Sequence, residues 1–284
     1  MENKKTIRNV IIFSVFALVV GWIGVGIDKL LPEQEEEETL GMAFWLITPL
    51  LLVIILRSFF GDGWKDAGLK PNFKGNLNWY GIAFLIFPVV TLITVLTGSL
   101  FGAIDSSSFY ATGYFEIFIG LFFINILKNI FEESVWRGYL TAKLITLKLS
   151  DWSIYLVVGL VWGLWHAPYY LSFLPEEDIY TVLPVDKLLF AFIAVVNITV
   201  WSVMFTEIFR ITKSVWSAVL LHASEDAVVN HLVIDGYITF SPNTEIWFSP
   251  ICGVFPTILF LIIGLWLRKQ RMITLTKTTL NENI

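Results

Sequence analysis

Residues 114–137 read Tyr-Phe-Glu-Ile-Phe-Ile-Gly-Leu-Phe-Phe-Ile-Asn-Ile-Leu-Lys-Asn-Ile-Phe-Glu-Glu-Ser-Val-Trp-Arg. The run is long and apolar enough to cross a hydrocarbon core of about 30 Å as a helix. Yet it closes on an acidic pair, Glu132 and Glu133, and on Arg137. Charge at membrane depth is costly, and a chain that keeps it there usually uses it. All three histidines, His166, His222 and His231, also fall within apolar stretches. Carboxylates and imidazoles held inside spans point to chemistry within the membrane.

Outward from this run the same character persists. Apolar residues make up 56% and charged ones 15% of 284 residues, and the mean hydropathy is +0.72. This predicts an all-α fold, a polytopic membrane helical bundle of eight transmembrane helices near 9–31, 40–57, 79–98, 114–137, 153–173, 187–209, 214–234 and 249–267. Lysine and arginine cluster at the termini and in every second connection: Lys4, Lys5 and Arg8, then Arg57 to Lys74, then Lys143 and Lys148, Arg210 and Lys213, and Arg268 to Lys277. The alternate connections hold Glu33 to Glu38, Asp105 and Glu176 to Asp178. Positive charge stays inside, so both termini of this multi-pass cell-membrane protein are predicted to be cytoplasmic. Val10 to Ile27 follows a basic leader like a signal peptide, but its length suits a span and no Ala-x-Ala-like site follows, so an uncleaved first helix is expected.

No repeat or soluble linker divides the chain, which predicts one membrane domain over 1–284. The net charge of −5 offers no basic surface, and nucleic-acid binding is excluded as a function class. The single cysteine, Cys252, rules out an internal disulfide and a Cys-rich metal site, and is expected to pack inertly. Gly21, Gly24 and Gly26, and Gly159 and Gly163, are expected to allow close helix approach.

Three polar elements remain. Glu133 and Arg137 stand four apart with the acid first, the favourable order for an intrahelical pair. Glu132 points about 100° away and is freer to act as a base, although Lys128 four residues earlier is placed to pair with it or to reach the headgroups. The competing reading is a solvated interfacial charge cluster. The second element, Val161 to Pro168, sets His166 one turn after Trp162. The third, Leu-His-Ala-Ser-Glu-Asp at 221–226, puts His222 and Asp226 on one helix face, a spacing that suits a shared metal, orientation of the imidazole, or joint contact with a substrate oxygen. Each of the last two has a packing alternative, and His231 with Asn230 is assigned to packing. Counting about 1.5 Å per residue sets His222 roughly 12 Å beyond Ser214 and His166 nearly 20 Å beyond Ser153. A cavity reached from the cytoplasm is expected, and it requires the fifth helix to start outside the bilayer core or to tilt.

The ordered set Glu-Glu-x-x-x-Arg (Glu132, Glu133, Arg137), aromatic-x-x-x-His (Trp162, His166) and His-x-x-x-Asp (His222, Asp226) resembles the CAAX protease and bacteriocin-processing family, or Abi family, of intramembrane endopeptidases. The resemblance covers roughly 114–234, the expected catalytic core, and implies a fold of about eight spans. It implies that Glu132 and His166 activate a water while His222 and Asp226 stabilise the oxyanion, with Glu133, Arg137 and Trp162 in support. Two positions depart from the common pattern: Trp162 stands where Phe is frequent and Asp226 where Asn is frequent. Only a protonated Asp226 donates as an amide does; otherwise it orients His222 or ligates a metal, and the donor role is the expectation. The cofactor question stays open, since Glu132, His166, His222 and Asp226 form a plausible zinc set and also suffice without metal. The expected partners are the lipid bilayer and a membrane-associated peptide or protein, cut in CAAX-type processing, peptide maturation or bacteriocin self-immunity. A non-catalytic immunity or scaffold protein and a proton-coupled transporter are the alternatives; the oligomeric state is not legible.

Overall fold

Long helices occupy the apolar runs throughout residues 2–31 and 39–282, which the computed structural model describes. They are α1 (Glu2–Leu30), α2 (Leu40–Phe59), α3 (Leu77–Leu100), α4 (Ala111–Val135) with the short α5 (Ala142–Thr146) beyond it, and α6 (Asp151–Trp165). After the short α7 (Glu176–Val182) come α8 (Lys187–Thr212), α9 (Val215–Glu225), α10 (His231–Ile234), α11 (Glu245–Phe248) and α12 (Val254–Glu282). Helix starts follow local chemistry: the side chains of Thr39, Ser150, Asp186 and Ser214 accept backbone N–H groups of the first turns of α2, α6, α8 and α9.

Six helical stretches are long and apolar enough to cross a membrane: 3–30, 40–59, 77–100, 111–146, 151–173 and 187–212. The expected seventh span is broken into α9 and α10 and carries His222, Glu225, Asp226 and His231. The expected eighth starts at Val254 rather than 249, and its second half holds Arg268, Lys269 and Arg271. The acidic run Glu33 to Glu38 lies outside the described residues.

Small residues let the helices touch. A Cβ on Gly24 would stand 2.4 Å from the Gly41 carbonyl oxygen, and one on Gly159 2.6 Å from Thr199 Cα, so α1–α2 and α6–α8 meet backbone to backbone. Gly26 differs from expectation: it faces open space.

The end of the bundle where the chain starts is tied by ions. Asp151 and Glu207 accept from Arg210 and Arg271, and Arg268 joins at Asp151, linking α6, α8 and α12. Arg57, expected in a connector, is buried in the last turn of α2, where it pairs with Asp66 at 2.7 Å and donates to the Gly138 carbonyl. At the opposite end, β1 (Ile104–Asp105) pairs antiparallel with β2 (Thr239–Phe240) and fastens the α3–α4 connection to the segment before α11.

Candidate active site

Each of the three motifs abuts a π-helical turn. Trp136–Thr141 follows the acidic pair, Tyr169–Phe173 follows His166, and Asp226–Asn230 follows His222. A π turn inserts an extra residue into an α-helix and re-aims the side chains around it, which is why such turns gather at functional sites.

The Trp162 indole joins the motifs. The Arg137 guanidinium lies over it at 4.0 Å and over the Phe205 ring at 4.4 Å, and the rings of His222 and His166 stand 5.6 and 6.1 Å from the indole. Arg137, wholly buried, donates to Glu133 Oε1 at 2.9 Å. The same oxygen bonds His222 Nδ1 at 2.9 Å. Glu133 thus spends one carboxylate oxygen on the first and third motifs together and, at 0% exposure, has no way to the solvent. His222 Nδ1–H is the donor in that bond, which leaves Nε2 for whatever enters the site.

His166 is fixed through its own nitrogen. Its Nδ1 lies 2.9 Å from the Trp162 carbonyl oxygen, an acceptor only, so Nδ1 carries the proton and Nε2 is left free. Aromatic rings hold the imidazole: Trp165 at 4.7 Å, Tyr170 stacked at 5.9 Å, and Trp45 at 6.0 Å. Trp45 in turn stacks on Trp165 at 4.1 Å and donates its Nε1–H to the Trp165 carbonyl, so α2 closes this wall.

Glu132, His166, His222 and Asp226 all line one cavity of about 340 Å³. Glu132 is 6% exposed, and its Oε2 is buried with no hydrogen-bond partner among the described residues. A desolvated carboxylate oxygen without a donor, beside space for water, is what a proton acceptor requires. Asp226 departs from expectation. Its Oδ2 accepts from Asn129 Nδ2 at 2.7 Å and from the Lys128 ammonium at 3.0 Å. Two donors on one oxygen describe an ionised carboxylate, and the imidazole of His222 is oriented by Glu133 instead. Lys128, placed by its spacing near Glu132, pairs with Asp226 across the helix interface.

Three further residues line the cavity: Lys128, which spacing had set near Glu132, Asn230, which was expected to pack, and Glu225, which the sequence reading passed over. Glu225 sits beside Asp226 in the quoted motif, so adjacency was the available signal; Asn129 had none beyond standing three residues before Glu132. His231 packs as expected, stacked on Tyr114 at 5.3 Å and bonded to Asp235. Cys252 is buried, with Sγ 3.9 Å from the Ser249 hydroxyl, and lies on the cavity wall.

A metal would find its donors at His222, Glu225 and Asp226, whose ligand atoms lie within 4.8 Å of one another. That grouping leaves out Glu132 and His166. It also meets an internal cation: Lys128 already neutralises Asp226, and an ammonium at 3.0 Å opposes a divalent ion on the same carboxylate. The residues fit a metal poorly, and no step is derived through one.

The cavity extends toward the end of the bundle opposite the chain's start. Its outer residues, Met42, Leu174, Asp178, Val182, Ile234 and Ile251, belong to helix ends and connections opposite the chain's start. Its floor is the buried layer of Trp162, Glu133 and Arg137, and no residue of the connections at 60–76, 147–150 or 213–214 lines it.

Residues 114–228 match the profile of the type II CAAX prenyl endopeptidase Rce1-like family. The chain is 33% identical over 136 residues to CAAX prenyl protease 2 of Methanococcus maripaludis (strain DSM 14266), an alignment covering 43% of this chain and 47% of that protein. The chain thus spans about half the length of the curated relative it matches. The match takes in both glutamates, Arg137, Trp162 and both cavity histidines. The segment of this chain that builds the cavity is thus similar to the Rce1-like type II CAAX prenyl endopeptidases.

Proposed function

We propose that this chain is an intramembrane endopeptidase acting on a membrane-associated peptide or protein, with 114–234 as the catalytic core of a single membrane domain. The observation that carries the reading is the placement of the acidic pair: each glutamate keeps an unpartnered Oε2, but Glu133 is bonded through Oε1 to Arg137 and His222 behind the cavity wall, while Glu132 lines the same cavity as both imidazoles. Glu132 takes a proton from a water held with the help of His166 Nε2. The resulting hydroxide attacks the scissile carbonyl carbon. His222, backed by the Glu133 carboxylate as an imidazole is backed in a catalytic triad, and the Lys128 ammonium, held by Asp226, face the oxyanion. The proton on Glu132 then passes to the leaving amine as the C–N bond breaks.

The distribution of lysine and arginine supports cytoplasmic termini. The experiment is cleavage of an anchored peptide by purified protein in detergent. Glu132→Gln should keep the protein folded, because the amide preserves shape, and should slow cleavage by at least about 10²-fold. Normal cleavage by that variant would refute the proposal.

A further inference from the structure

A second hollow, of about 820 Å³, lies at the end of the bundle where the chain starts, and it shares no lining residue with the cavity of Glu132. It brings five cations, Lys65, Lys70, Arg210, Lys213 and Arg271, against one carboxylate, Asp66. Part of that charge is already answered. Arg210 and Arg271 are held by Asp151 and Glu207, and Asp66 is taken by Arg57 and Lys143. Lys65, Lys70 and Lys213 stand exposed, and among the described residues none of the three has an ion-pair partner.

The three lysines are placed by a fastened loop. The connection 60–76 is latched onto the corner between α8 and α9: the Gly68 carbonyl accepts from the Val215 N–H at 2.9 Å, the Leu69 carbonyl from the Trp216 indole at 2.9 Å, and Asn72 Nδ2 donates to the Lys213 carbonyl at 3.2 Å. Gly68 has φ +65°, and a Cβ there would stand 2.7 Å from the Phe209 ring, so glycine lets the loop lie this close. α8 ends on Lys213 at φ +54°, a left-handed position that glycine usually fills. Between the cations the lining is apolar, with Leu69, Ile145, Phe209 and Leu275 beside Trp64. The membrane-spanning stretches of α2 and α8 end at Phe59 and Thr212, which sets the hollow where the helices leave the hydrocarbon.

We propose that this hollow binds the phosphate headgroup of an anionic phospholipid, with Lys65, Lys70 and Lys213 around the phosphate and Leu69 and Leu275 against the first part of an acyl chain. Basic pockets between membrane helices select such headgroups because the cations lie at headgroup depth. An inorganic phosphate would have no use for the apolar wall. The site is independent of the peptidase reading.

The test is native mass spectrometry of purified full-length protein in detergent, with phosphatidylglycerol and phosphatidylcholine supplied in equal amounts. The parent should retain phosphatidylglycerol in preference. Lys65→Gln/Lys70→Gln/Lys213→Gln should weaken that binding by at least about tenfold, while Lys4→Gln/Lys5→Gln/Lys269→Gln, which removes equal charge outside the hollow, should keep it. Equal loss in the two triple variants would reduce the effect to overall charge and overturn the site. Leu69→Gln leaves every cation in place and guards against misfolding of the first variant; it should weaken the lipid and leave the affinity for soluble glycerol phosphate unchanged. Glycerol phosphate binding the parent as tightly as the lipid would overturn the lipid assignment. So would a polyglutamate peptide that binds more tightly than phosphatidylglycerol, which would give the hollow to an acidic protein partner.

Discussion

His222 Nδ1 and Glu133 Oε1 meet at 2.9 Å across 89 positions of sequence. Because Arg137 shares that oxygen, the glutamate beside the proposed base is both a structural ion and the orienting partner of an imidazole. Replacing Glu133 by Gln strands the fully buried Arg137 charge, and the loss of one partner of a buried pair costs about 3–5 kcal/mol. Thermal unfolding in detergent should show a large fall for Glu133→Gln and for Arg137→Gln, and almost none for Glu132→Gln. Equal melting of the two glutamate variants would contradict this division.

Lys128 and Asp226 give a second contrast. Lys128→Ala removes a cation facing the oxyanion and should cost about 10²-fold in rate, with little change in stability because the ammonium is partly exposed. Asp226→Asn keeps an oxygen for Lys128 but loses the charge that holds it, and a loss of about tenfold is expected, the scale of an outer-shell partner. Full activity in Asp226→Asn, extending to higher pH, would restore the hydrogen-bond-donor role that the sequence alone favoured.

Chelators bear on the same carboxylate. With Lys128 already at Asp226, 1,10-phenanthroline is expected to leave peptide cleavage unchanged. Loss of cleavage that zinc restores would instead move the chemistry to His222, Glu225 and Asp226.

How far the sequence carried is visible at these residues. Glu133–Arg137 was readable because a four-residue spacing on a helix is a local fact. The six continuous spans were readable because hydropathy reports length and apolarity directly. The Lys128–Asp226 and Glu133–His222 pairs were not, since both depend on how α4 meets α9 and spacing along one helix says nothing of its neighbour.

Asp66 supplies a pH test outside the spans. Burial alone would raise its pKa, but bonds to Arg57 and Lys143 outweigh this and hold it below its ordinary 3.8. A carboxyl with a depressed folded pKa contributes stability that is complete above its unfolded value and disappears as pH falls through the folded one. Melting temperature measured downward from pH 5 should therefore fall more steeply below about pH 4 in the parent than in Asp66→Asn. Parallel curves would show that the α2–α3 connection draws nothing from this ion pair.

The π turns carry a consequence for how such a site is lost. Each is a single surplus residue in the register of a helix, and taking one out lets the rod rewind, turning everything beyond it by about 100°. Shortening 136–141 by one position would swing Lys143 away from Asp66 or drag Glu133 off His222, while every apolar span kept its length. A descendant one residue shorter there would still insert and still bundle, with its chemistry gone. On the proposed reading, activity and its loss stand one deletion apart.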